Sequence, residues 1–182
     1  MEFRIRKATR DDVPRIAEIV EASVRGLARG IYSERQIELS IKSVFGVDTE
    51  LIDDGTYFVA ESNGEIGGCG GWSRRKTLYG ASGYADSRDS GMLDPAVDAA
   101  KIRAFFIHPD WARRGIGTAI LDACEAEARA EGYSTAEMMS TLPGVPLYAA
   151  RGYAGDERVE IPIGDSESIE CVRMRKALQP VR

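Results

Sequence analysis

The chain is poor in the residues that build metal centres and covalent staples. It has one histidine, His108, and three cysteines, Cys69, Cys124 and Cys171. One histidine excludes a His-rich metal site, and no metal is expected. Three cysteines, odd in number and far apart, make neither a metal-ligand spacing nor a disulfide framework. They read as small buried hydrophobes in a reducing compartment. Basic charge is also short, with 24 Lys and Arg against 29 Asp and Glu, a net charge of −5. A surface built for nucleic acid is normally basic, so nucleic acid is not an expected partner. No run of about 18 apolar residues exists, so no membrane span is expected. Met1 to Arg6 lacks the apolar stretch of a secretory signal, and a cytoplasmic location is expected.

What is present is ordinary globular material, 43% hydrophobic and 29% charged. Its length fits a single domain over residues 1–182. Phe3, Ile5 and Lys7 alternate with Arg4 and Arg6 as a short strand. Thr9, the acids Asp11 and Asp12, and Pro14 carry helix-start chemistry ahead of a stripe Val13, Ile16, Ala17, Val20 and Val24. Ser33-Glu34-Arg35-Gln36 is a capping box opening a second helix through about Val44. Asn63-Gly64 marks a hairpin between strands at 56–60 and 65–73. The second of these strands holds Gly67, Gly68, Gly70 and Gly71, read as room for a packed helix. A strand over 101–107, a helix over 115–132, a strand over 133–140 and a short helix over 146–151 follow. Strand-like runs lie near 152–161 and 168–175. Residues 74–99 break the pattern and read as a long inserted loop carrying Asp86, Asp89, Asp94 and Asp98.

One segment violates local rules. The helix starting near Gly115 has two glycines in its first turn, Gly115 and Gly117, each costing about 1 kcal/mol relative to Ala. Arg113 and Arg114 place positive charge at the positive end of the helix dipole, and no acid enters the helix before Asp122. An anion at that helix start removes both conflicts. Exposed N–H groups and guanidiniums cradle a phosphate or pyrophosphate. The Walker spacing and the dinucleotide fingerprint both fail here, since no Lys follows Gly117 and Ile120 stands where a third glycine is needed.

The run from His108 to Leu121, His-Pro-Asp-Trp-Ala-Arg-Arg-Gly-Ile-Gly-Thr-Ala-Ile-Leu, resembles the central motif of the GNAT superfamily of acyl-CoA-dependent N-acetyltransferases. That motif reads Gln/Arg-x-x-Gly-x-Gly/Ala. Gly115 and Gly117 match its glycines. Ala112 stands where the family usually has Gln or Arg, a departure that removes a side chain but no backbone donor. Downstream, Leu147-Tyr148-Ala149-Ala150-Arg151-Gly152-Tyr153 resembles the family's Phe/Leu-Tyr-x-x-x-Gly-Phe/Tyr segment. The resemblance implies a mixed α/β fold. Its central sheet is mostly antiparallel, flanked by helices and splayed in a V between its two central strands.

It also implies a chemistry. Acetyl-CoA is the expected co-substrate. Ala112, Arg113, Arg114, Gly115, Ile116, Gly117 and Thr118 would hold its pyrophosphate, and Phe105, Phe106 and Ile107 would lend main-chain bonds to the pantetheine arm. A primary amine of a small molecule or peptide would attack directly, and Tyr148 would protonate the departing thiolate. Many relatives place a Glu base on the central strand, where this chain has Lys101 and Arg103. Glu137, Asp94 and His108 are candidate bases, and a water chain is an alternative. The acidic loop is a candidate attractor for a cationic acceptor such as a polyamine, with Trp72, Tyr79 and Tyr84 as candidate pocket aromatics. The competing reading is a non-catalytic acyl-CoA sensor of the same fold. The resemblance leaves a homodimer open.

Overall fold

The computed structural model describes residues 2–179. One seven-stranded sheet contains β1 (Arg4–Lys7), β2 (Tyr57–Ser62), β3 (Glu65–Ser73), β4 (Ala100–Ile107), β5 (Thr135–Thr141), β6 (Ala154–Gly164) and β7 (Glu167–Ala177). The spatial order is β1-β2-β3-β4-β5-β7-β6. Neighbours are antiparallel except β4 and β5, which run parallel. The helices are α1 (Val13–Leu27), α2 (Glu34–Lys42), α3 (Thr49–Asp53), α4 (Ile116–Ala130) and α5 (Val145–Ala150). The mixed, mostly antiparallel α/β architecture expected from the sequence is the one observed.

Side chains alternate between the sheet's faces, and each face has its own helices. On β2, Phe58 and Ala60 join the core under α4, while Tyr57 and Val59 join the core under α1. The α1 stripe Ile16, Ile19, Val20, Ser23 and Val24 is buried at helical spacing. Burying each Ile or Val of that stripe is worth about 1.5–3 kcal/mol. The α4 stripe Ile116, Ile120, Leu121, Cys124 and Ala128 covers the other face. A third cluster joins the end of α1, Tyr32 and α2 to the β6–β7 hairpin through Ile161, Ile163, Ile169 and Cys171. The three cysteines are free and buried, as expected.

Local chemistry accounts for the element ends. Ser33 Oγ accepts the Gln36 N–H at 3.1 Å while Gln36 Oε1 accepts the Ser33 N–H at 2.9 Å, a reciprocal capping box. Asn63 (φ 52°) and Gly64 (φ 82°) take the left-handed conformations of the expected hairpin. Asp165 and Ser166, at φ 51° and 59°, turn the second hairpin, so β6 and β7 run further than their sequence pattern indicates.

Residues 74–99 contain no helix or strand, yet they are bound down. Arg75 grips Asp54 with two bonds of 2.7 and 2.8 Å. Thr77 and Asp89 pair across the loop, and the Tyr84 hydroxyl donates to the Pro162 carbonyl at 2.9 Å. The loop is thus a packed cover between α3 and the β6–β7 hairpin.

The glycines of β3 make room for more than a helix. A Cβ on Gly68 would meet Ile116 of α4 at 2.9 Å, but one on Gly70 would sit 2.7 Å from the Phe105 ring. At Gly67 it would lie 1.9 Å from the Trp111 indole. Gly67→Ala is therefore expected to destabilise the fold by about 1–3 kcal/mol through overpacking, read as a lower unfolding midpoint in denaturant. An unchanged midpoint would show that Trp111 moves freely.

Candidate active site

β4 and β5 pair only at Ala100–Ala136 and Lys101–Glu137 and then part. A bulge in β4 accompanies the divergence. Cys69 pairs with Phe106 and Gly71 with Arg103, so Ala104 and Phe105 face the single residue Gly70. Ala104 sits at φ 58°, a left-handed conformation that costs a non-glycine residue about 1–2 kcal/mol. The buried Tyr57 secures it by donating its hydroxyl to the Ala104 carbonyl at 2.9 Å. Extra residues of this kind re-aim a strand, and they are common beside active sites. Further along β4, the Ile107 N–H is donated to Ser23 Oγ of α1 at 3.2 Å.

Beyond the strand, His108 caps a short turn over Pro109–Trp111, accepting the Asp110 N–H on Nδ1 at 3.2 Å. Arg113 (φ 64°) and Gly115 (φ 81°) then take left-handed conformations on either side of Arg114. Gly115 is the N-cap of α4. No side chain caps this end, and its first turn holds no acid. Gly117 permits close packing, since a Cβ there would lie 2.9 Å from Leu147 of α5. Uncapped N–H groups at a positively charged helix start are chemically suited to an anion.

The fork opens into a cleft of 670 Å³. Phe105, Phe106, Ile107, Ala112, Arg113, Gly115, Ile116, Gly117, Thr118 and Tyr148 all line it. Of the residues expected to hold acetyl-CoA, Arg114 alone does not. Tyr148 is 8% exposed, and burial pushes its hydroxyl well above the usual tyrosine value. Its ring meets Phe105 and Tyr153 edge-on, with centroids 6.0 Å away in each case.

A family model described as the acetyltransferase (GNAT) family matches residues 23–153, well over half of the chain. The chain belongs to that family. Acyl transfer is its general chemistry. Solved structures carry the same fold. A GCN5-related N-acetyltransferase from Rhodopseudomonas palustris superposes with a TM-score of 0.72 at 22% identity, covering 98% of this chain and 97% of its own. The PaiA N-acetyltransferase of Thermoplasma acidophilum, solved with coenzyme A, gives 0.66 at 16% identity over 97% and 99%. A GNAT acetyltransferase from Brucella melitensis, solved with acetyl-CoA, gives 0.58 at 16% over 98% and 90%. Curated proteins yield no match.

In this GNAT chain the three candidate bases lie outside the cleft lining. His108 is used as a turn cap. Asp94 Oδ1 accepts the Ala96 N–H at 2.9 Å within its own loop. Glu137 is buried and bonded to Lys101, Arg173 and Arg175. Burial pushes its carboxyl up, but the hydrogen bonds from Lys101 and Arg173 outweigh this and hold it below the usual range. It is an internal counter-ion, a role invisible in sequence because its partners come from β4 and β7.

The acidic loop does not aim its charge at the cleft either. Asp86, Asp89, Asp94 and Asp98 are all absent from the lining, where the loop contributes Leu78, Tyr79, Gly80 and Ala81. Of the candidate aromatics only Tyr79 lines the cleft. Trp72 is fully buried and donates its indole N–H to Glu127 at 3.0 Å, while Tyr84 stands behind Tyr79 with ring centroids 6.0 Å apart. Sequence reasoning missed Asp48, which is fully buried and ion-paired to Arg103 on the cleft floor. The nearest sequence signal was the cation itself, on a central strand where charge is costly unless paired.

Proposed function

We propose that this GNAT domain, spanning the whole chain, transfers an acetyl group from acetyl-CoA to a primary amine of a small molecule or peptide by direct attack. The observation that carries the reading is that Ala112, Arg113 and residues 115–118 of the 112–118 loop line one forked cleft with Tyr148. Bound acetyl-CoA supplies the acetyl group as an activated thioester. The N–H groups of the loop and the Arg113 guanidinium hold the phosphates. The β4 edge at Phe105–Ile107 orients the pantetheine arm, and a main-chain N–H of that edge donates to the carbonyl as negative charge develops on it. Tyr148, kept protonated by burial, donates its proton to the departing sulfur.

Among the described residues no carboxylate or imidazole lines the cleft, so in this reading the amine arrives neutral or loses its proton to water. Accordingly, kcat/KM is expected to rise about tenfold per pH unit on the acid side, levelling at the pKa of the acceptor amine itself. Tyr148 adds no falling limb below about pH 10, because its hydroxyl titrates above its ordinary value. Profiles with two amines of different basicity check this. An acid limb at one fixed pKa for both would demand a protein base.

The overall reading is tested by thermal shift and thiol release. Acetyl-CoA at 100 times its dissociation constant should stabilise the fold by about 2.7 kcal/mol. Stabilisation with thiol release on adding amine supports the transferase. Stabilisation without release from any amine makes the domain a sensor. No stabilisation refutes both.

A further inference from the structure

The walls of the cleft beyond the coenzyme loop carry information about the acceptor. α1 and the turn after it contribute Leu27 and Ile31, the 74–99 loop contributes Leu78 and Tyr79, and the β6–β7 hairpin contributes Ile161 and Ile169. Among the described residues, four large hydrophobic side chains are strongly exposed, and two of these, Leu27 (39%) and Ile31 (49%), stand at this cleft. Apolar side chains exposed beside a concave site commonly mark what the site receives.

Charge points the same way. Among the described residues, the charged side chains lining the cleft are Arg103, ion-paired to Asp48, and Arg113, which the transferase reading assigns to the coenzyme phosphates. None of the loop carboxylates lines the cleft; Asp86 is exposed to solvent, and Asp89 and Asp98 are hydrogen-bonded within their own turns. Asp89 Oδ1 accepts the Gly91 N–H, and Asp98 Oδ2 accepts the Asp94 N–H, at 2.9 and 2.8 Å. Asp48 lies beneath Arg103 and is wholly buried. A second ammonium on the acceptor would leave water for these apolar walls and find no carboxylate among the described lining residues.

We infer that the acceptor is a monoamine whose carbon body is apolar or aromatic, not a polyamine or other multiply charged amine. This rests on the transferase reading above. The attacking nitrogen arrives uncharged or loses its proton to water, in keeping with a cleft whose described lining holds no carboxylate or imidazole, and its apolar body packs against the six side chains named.

The test compares kcat/KM by thiol release for phenethylamine and hexylamine with that for 1,4-diaminobutane and spermidine, with acetyl-CoA binding followed separately by thermal shift. The apolar monoamines are expected to exceed the polyamines by about 10–100-fold. Ile31→Glu, at an exposed position, should lower phenethylamine turnover and raise that of 1,4-diaminobutane while leaving the acetyl-CoA shift in place. Faster release with polyamines than with monoamines overturns this inference and leaves the transferase reading standing. Release with no amine, despite an acetyl-CoA shift, overturns both.

Discussion

Tyr148→Phe is expected to lower kcat by about 10²–10⁴-fold, the usual range for losing a positioned general acid. The fold and the stabilisation by acetyl-CoA should be unchanged. The ring contacts with Phe105 and Tyr153 survive the substitution, and the Tyr148 hydroxyl makes no hydrogen bond to any described residue. Losing it leaves no buried partner unsatisfied. Tyr153 is the contrasting control. Its hydroxyl donates to Glu125 Oε1 at 3.1 Å, so Tyr153→Phe removes a structural bond and should act on stability rather than on kcat. Thiol-release kinetics on the two variants separates the roles. Unchanged turnover in Tyr148→Phe would remove the tyrosine from the chemistry.

The parts of this site that were legible in the sequence depend on short-range chemistry. The Ser33 capping box, the Asn63-Gly64 turn and the glycine-loosened start of α4 each involve residues within a few positions of one another. Tyr148 was legible only through its family resemblance, since an amphipathic aromatic in a short helix is otherwise unremarkable. What the sequence hid is long-range. Ala104 enters a left-handed conformation without any glycine to announce it, because Tyr57, 47 residues away, holds its carbonyl. The acids of the 74–99 loop suggested a cationic acceptor, yet folding turns the loop's apolar residues towards the cleft. Glu137 looked like a base until three cations from β4 and β7 closed around it.

Asp48→Ala is expected to cost about 3–5 kcal/mol of stability, because it strands a buried guanidinium. Arg103 and Asp48 each have side chains 1% exposed. Burial lowers Arg103 to about 10, which still leaves it a cation at neutral pH. Without Asp48, Arg103 keeps the Thr77 carbonyl at 3.3 Å, and the nearest remaining carboxylate is Glu50 at 3.8 Å, already bonded to Arg88 at 3.2 Å. The pair is itself imperfect, since Asp48 Oδ1 and Arg103 Nε have no hydrogen-bond partner among the described residues. An imperfect buried pair should be replaceable. Arg103→Met combined with Asp48→Leu is expected to recover most of the loss, because it removes both desolvated charges at once. A double-mutant cycle in denaturant measures this directly. If Asp48→Ala costs less than about 1 kcal/mol, water or Glu50 is compensating Arg103. The loop that presents Tyr79 is then held to the cleft floor by its other contacts, Arg75 with Asp54 and Tyr84 with Pro162, rather than by this pair.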